Sequence, residues 1–310
     1  MIWKNAEQIS QALADMHNVF RQLPIEAEEF LIQKMYDYMW QRNNTSVYAF
    51  RVFKENHENA LSYGVDIRNA SILEIGGGES LGTGILWNFA GAKKYTSVDK
   101  FTRIDLSHLW VQRFETILDM NIFNPEGFRL DSLIKKEDGR YVLREDKIRL
   151  IQGSFEEYPL EHNSFGFIYS SAVLEHVSNI ERILQKMSHV LSDDGLMIHT
   201  IDLREHHTNL RTVPDKNTSV EFLKYSTEDW NKMYPPGSLH YINRLRASDF
   251  HKYFEDAGFK ILDFITTQEM ELTEAVYSII HPEFHRYALD DLNKIGIRVV
   301  LKKHNKCTNR

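Results

Sequence analysis

Cysteine is almost absent from this chain: there is one in 310 residues, Cys307, in a polar C-terminal stretch. A lone cysteine excludes an internal disulfide framework and a cysteine-built zinc centre, and no metal is expected. Long hydrophobic runs are missing as well. No stretch reaches the roughly 18 apolar residues that a spanning helix needs. Positive charge is in deficit, with 37 Lys and Arg against 44 Asp and Glu and a net charge of −7. That balance argues against a general nucleic-acid binder, which would carry a basic face. No apolar run follows Lys4, so no signal peptide is expected and the reading is cytoplasmic. What is present, 42% hydrophobic and 26% charged residues, suits one large soluble domain or two small ones.

Against this background one cluster of glycines stands out. Ser71-Ile72-Leu73-Glu74-Ile75 reads as a short apolar strand that runs into Gly76-Gly77-Gly78-Glu79-Ser80. Glycines at a strand end let the backbone approach a ligand, because no Cβ intervenes. A second strand, Tyr95-Thr96-Ser97-Val98, ends in Asp99. An acid at that place accepts the hydroxyls of a ribose. Together they predict a nucleoside-containing cofactor across the edge of a parallel sheet.

The rest of the chain is organised to match. Residues 5–45 read as two amphipathic helices separated at Pro24, and 46–61 as a third. From residue 71 strand and helix alternate, the signature of a parallel sheet covered on both faces. Further strands are expected at 147–152, 165–170 and 195–201. Between the last two, Val177, Ile180, Ile183, Leu184, Met187, Val190 and Leu191 form one helical stripe. The chain ends helix (248–257), strand (260–266), helix (270–280), strand (295–302). Residues 102–146 and 204–246 are longer than simple connections need, which usually means function or structure of their own. The expected organisation is an N-terminal helical cap at 1–67, a sheet domain at 68–303 with those two insertions, and a polar tail at 304–310.

The loop alone does not name the cofactor. A nicotinamide loop, Gly-x-Gly-x-x-Gly, would need glycine where Leu81 stands; a methyltransferase loop, Gly-x-Gly-x-Gly, would need it at Ser80. The wider set does better. Leu73 to Gly78, Val98-Asp99, Gln152 to Glu156, Asn163 to Val177 and Val190 to Leu196 resemble, in order and spacing, the class I S-adenosylmethionine-dependent methyltransferases, in the branch acting on small molecules and glycans. The resemblance covers roughly residues 68–303. It implies a Rossmann-like seven-stranded α/β sheet whose last strand is antiparallel, with S-adenosyl-L-methionine as cofactor. It also implies roles. Gly76, Gly77, Gly78 and Ser80 would approach the methionine half, with Glu74 beneath them anchoring the amino group. Asp99, beside Lys100, would take the ribose. Ser154 stands where the family often has Asp for the adenine amine; Phe155 would stack on the ring, unless it is core, and Glu156 would supply the acceptor. Ser171, with Ser170, would lie beside the sulfonium.

Methyl transfer is an in-line displacement, so alignment dominates and a hydroxyl acceptor also needs a base. Strand five ends His199-Thr200-Ile201-Asp202-Leu203-Arg204-Glu205-His206-His207. His206 is the expected base and Asp202 its partner, with His240 a second candidate. Tyr225, Trp230, Tyr234, Tyr241, Asn243, Arg244 and Arg246 read either as a lid over a polar acceptor or as a helix packed on the core. The Asn/Asp-Pro-Pro-aromatic motif of base-modifying enzymes is absent after strand four. The expectation is therefore O-methylation of a small polar molecule, sugar or glycan. A nicotinamide-dependent oxidoreductase and a non-catalytic binding relative are the alternatives.

Overall fold

The computed structural model describes residues 45–78, 82–101, 132–138, 140–206 and 219–304. The two helices expected within 5–45, and the positions of Ser80 and His207, lie outside them. A long helix, α1 (Thr45–Ser62), leads to β1 (Ser71–Ile75), α2 (Gly82–Phe89) and β2 (Lys94–Asp99). A two-stranded antiparallel hairpin, β3 (Ile134–Glu137) and β4 (Arg140–Leu143), precedes β5 (Ile148–Gln152). Then come β6 (Phe165–Ser171), α3 (Ile180–Val190) and β7 (Leu191–Asp202). The last elements are α4 (Thr227–Met233), α5 (Ala247–Asp256), β8 (Phe259–Glu269), α6 (Glu274–Ile279), α7 (Leu289–Asn293) and β9 (Lys294–Lys303).

Seven strands form one sheet in the order β5-β2-β1-β6-β7-β9-β8. The pairs from β5 to β7 are parallel; β9 runs antiparallel between β7 and β8. This is the Rossmann-like methyltransferase sheet, with helices on both faces. Side chains alternate across it. Leu73, Ile75, Ile168, Met197 and Val299 face the core that holds α3 and α5, and Ile72, Tyr95, Phe167, Ile198 and Val300 face the core that holds α1 and α2. In α3 the expected stripe is buried at Ile180, Ile183, Leu184, Met187 and Val190, and Asn179 caps it by accepting from the Arg182 amide.

Two expectations need amendment. The helix expected at 270–280 covers only Glu274–Ile279. The segment expected as a lid, in the part described from residue 219, is a packed unit. Val220, Phe222, Leu223, Trp230 and Ile242 join Met270, Leu272, Val276, Ile280, Phe284 and Leu292 in a third apolar cluster. Both segments leave the same sheet edge, where β7 and β8 end and β9 begins.

Candidate active site

The site lies beyond the carboxyl ends of the parallel strands, where ligands bind in open α/β sheets. The loop after β1 is shaped by its glycines. Gly76 (φ 73°) donates to the Val98 carbonyl at 2.8 Å, and a Cβ there would collide with Val173. A Cβ on Gly77 would collide with Ser97 Oγ. Gly78 (φ 63°) faces open space, and its amide donates to Asp99 Oδ2 at 3.0 Å. Asp99 Oδ1 accepts from the Phe101 amide at 2.9 Å. The acid at the end of β2 is thus fixed by backbone donors on both oxygens. The carboxylate stands beside a backbone stretch that no Cβ blocks, where a diol would meet it. A nucleoside cofactor fits this arrangement.

Beneath the loop Glu74 is buried. Its Oε2 accepts from Thr83 Oγ1 at 2.7 Å and from the Tyr95 hydroxyl. Burial pushes this carboxyl up, although the two hydroxyls work against the shift, and the Tyr95 phenol is pushed up by burial and by Glu74. The position under the glycines is as expected. What the sequence did not reveal is that Thr83 on α2 and Tyr95 on β2 already occupy the carboxylate. Ser154 donates to Glu156 at 2.7 Å. Phe155 is 3% exposed in the α3-side core, which favours the core alternative over a stacking ring. Lys100 extends away from Asp99: its Nζ donates to the Gly237 carbonyl at 2.8 Å, on the loop that carries exposed His240.

On the other side, β6 and β7 deliver the remaining groups. Ser171 ends β6, followed by Ala172 at φ 54°, whose amide donates to Thr200. A short turn, Leu174–His176, is clamped by Asn243: its Nδ2 donates to the Leu174 and Val177 carbonyls and its amide to that of Glu175. His176 Nδ1 lies 2.7 Å from the Tyr241 carbonyl. That acceptor fixes the proton on Nδ1.

Asp202, at the end of β7, stands 3.4 Å from His206 Nε2 and is gripped by Arg204, Nε to Oδ1 at 2.9 Å and Nη2 to Oδ2 at 2.6 Å. Burial pushes the Asp202 carboxyl up, but Arg204 and His206 together outweigh it and hold it well below the usual range. The rings of His206 and His176 are in contact, with centroids 5.1 Å apart. Glu175 is 1% exposed; its Oε1 accepts from the Asp202 amide at 3.4 Å and its Oε2 has no partner. Burial, then the neighbouring Asp202, push this carboxyl well up.

The structure brings Asp202 and His206 together. The sequence missed Arg204, Glu175 and His176 as members of the cluster, although the run Leu174-Glu175-His176-Val177 was part of the signal. For the arginines of the second insertion the structure favours the packed alternative over the lid. Arg244 lies between the Trp230 and Phe284 rings and donates to the Phe222 and Tyr225 carbonyls. Arg246 is fully buried against the Leu203, Leu292 and Lys294 carbonyls. Both are structural, and Trp230 Nε1 is spent on the Ile242 carbonyl. Among the described residues no group of three or more His, Cys, Asp or Glu is placed to hold a metal, and no helix is long and apolar enough to cross a membrane.

A glycine loop over a backbone-fixed acid on this sheet defines a nucleoside-cofactor enzyme of the α/β class. Residues 46–263 match the family of methyltransferase domains. The chain belongs to that family and is a class I S-adenosylmethionine-dependent methyltransferase with S-adenosyl-L-methionine as its cofactor. The nicotinamide alternative falls away with that assignment. Over 82 residues the chain is 33% identical to a sarcosine/dimethylglycine N-methyltransferase of Aphanothece halophytica; the match covers 24% of this chain and 30% of that enzyme. Among solved structures it is similar to an S-adenosylmethionine-dependent methyltransferase of Mesorhizobium loti (17% identity, TM-score 0.40, 79% of this chain and 96% of that one). It is also similar to phosphoethanolamine N-methyltransferase 2 of Haemonchus contortus (13%, TM-score 0.42, 81% and 52%).

Proposed function

We propose that this methyltransferase acts on a small polar acceptor held between the Ser171–His176 loop and the end of β7, and that His206 takes the acceptor's proton. The single observation that carries this reading is the pairing of His206 Nε2 with Asp202 at 3.4 Å. Asp202 would offset the positive charge that His206 gains with that proton. The cofactor supplies a methyl group on a positive sulfur. Gly76, Gly77 and Gly78 would admit its methionine half, and Asp99 would hold its ribose. Glu74, shared between Thr83 and Tyr95, would stiffen the floor of the loop. As the acceptor's bond to the methyl carbon forms, the carbon–sulfur bond breaks and its electron pair stays on sulfur. The acceptor's proton goes to His206.

Nitrogen is the first acceptor to test. The similarity to a sarcosine/dimethylglycine N-methyltransferase, though it spans only part of each protein, supports an amine, and an ammonium must also lose a proton before it attacks. A hydroxyl of a small molecule, sugar or glycan, the expectation from sequence, would be served by the same base. The test is incubation with labelled cofactor and paired amine and hydroxyl compounds, sarcosine and simple sugars among them, followed by mass spectrometry for one added methyl group. Label transfer to none of them with the cofactor bound would favour the non-catalytic alternative.

A further inference from the structure

Four carboxyls lie at or near the carboxyl ends of β1, β2, β6 and β7: Glu74, Asp99, Glu175 and Asp202. Three are already engaged. Glu74 is held by Thr83 and Tyr95, Asp99 by the Gly78 and Phe101 amides, and Asp202 by Arg204 and His206. Glu175 differs. Its Oε1 meets only the Asp202 amide, at the long distance of 3.4 Å, and its Oε2 is out of contact with solvent and has no partner. An unmet buried polar atom costs about 1–3 kcal/mol, and such groups in a native fold call for an explanation. The backbone around it is not loose. Asn243 ties the turn before and after Glu175 and the Glu175 carbonyl itself. The side chain is therefore presented, not displaced.

We propose that Glu175 is the residue that selects the acceptor, its Oε2 accepting an N–H from an amine bound beside Asp202. This rests on the reading of the site as a methyltransferase centre. Asp202 cannot serve in its place, because the Arg204 guanidinium cancels its charge across two contacts. Burial, then Asp202, push the Glu175 carboxyl well up. An ammonium arriving beside it works the other way, since an opposite charge within about 4–6 Å favours the ionised carboxyl, whose proton is released to solvent as the ammonium binds. A hydroxyl acceptor brings no such charge. After His206 has taken one proton, a primary amine still offers N–H to Glu175 while its lone pair faces the methyl carbon. The nitrogen–carbon bond then forms and the carbon–sulfur pair remains on sulfur.

The experiment is calorimetry on the full chain saturated with S-adenosylhomocysteine, titrated with ethanolamine and, separately, ethylene glycol. The wild-type protein should bind ethanolamine at least about ten-fold more tightly than ethylene glycol. Glu175→Gln, similar in shape but unable to ionise, should lose that preference and keep its affinity for S-adenosylhomocysteine. Glu175→Asp retains a carboxylate and should keep part of the preference, which secures the test should the glutamine variant fold poorly. The proposal is overturned if the wild type binds both probes alike, if the glutamine variant keeps the preference within about twofold, or if the aspartate variant loses it entirely with cofactor affinity intact. Failure of the wild type to bind S-adenosylhomocysteine at all would instead strike at the methyltransferase reading itself.

Discussion

Lys100 Nζ donates to the carbonyl of Gly237 at 2.8 Å, joining residues 137 positions apart. The bond ties the loop after β2, next to Asp99, to the 235–240 loop. Both partners are at the surface, so the link is a latch and not a core contact. Lys100→Met should speed cofactor release by about three- to ten-fold, the equivalent of one modest hydrogen bond. Stopped-flow displacement of bound S-adenosylhomocysteine measures it, and an unchanged release rate refutes the latch.

Asp99 accepts from the amides of Gly78 and Phe101. Asp99→Ala should weaken S-adenosylmethionine binding by about ten-fold or more, equal to about 1.4 kcal/mol per decade. Calorimetric affinity equal to wild type would remove the ribose assignment.

Gly77 is needed because Ser97 Oγ occupies the place of a Cβ. Gly77→Ala should cost about 1–3 kcal/mol through overpacking, read as a lower denaturant midpoint. Adding Ser97→Ala should restore part of the loss, because the nearest remaining atoms are then Ser97 Cβ at 3.3 Å and the Tyr95 hydroxyl at 3.4 Å. No recovery in the double variant would show that the loop is constrained by something else.

His206→Ala should lower turnover by about 10²–10⁴-fold, the usual contribution of a general base, with cofactor affinity nearly unchanged. Steady-state kinetics with whichever compound accepts label, paired with calorimetry, decides this. Retained turnover would discard the base and leave alignment as the sole catalytic device.

Glu74 and Glu175 make the stability depend on pH with a definite sign. Both carboxyls are raised in the folded protein, chiefly by burial. Their contribution is therefore fully present below the unfolded value of about 4.3 and is lost as pH rises through the folded values. Asp202 is depressed and acts oppositely, contributing above its unfolded value and losing that contribution in acid. Glu175→Gln should thus gain stability relative to wild type as pH rises above about 4.3. Urea midpoints for both proteins across pH 4.5 to 7.5, taken at about unit steps, test this. A difference that shrinks with rising pH would contradict it.

Much of this was legible before any coordinates. The run from Ser71 to Gly78, the acid after Val98, and the stripe from Ile180 to Val190 each carry local information, because strand period, helix period and turn glycines are properties of neighbouring residues. The partners of Glu74 were not legible: Thr83 and Tyr95 lie on different elements, and only the crossing of β1, β2 and α2 brings their hydroxyls to one carboxylate. Arg244 and Arg246 stayed open between two readings for the same reason. A basic, aromatic-rich segment has one composition whether it faces a ligand or stacks between Trp230 and Phe284.

By itself the sequence determined the alternating α/β order, the glycine loop and the acid that follows it, because each depends on contacts within a few residues. Only the tertiary structure decided which buried carboxyl keeps an unmet oxygen, which histidine meets which carboxylate, and that the second insertion shares its core with the β8–β9 connection. Those outcomes turn on burial and on distances between segments far apart in the chain, quantities that no local pattern encodes.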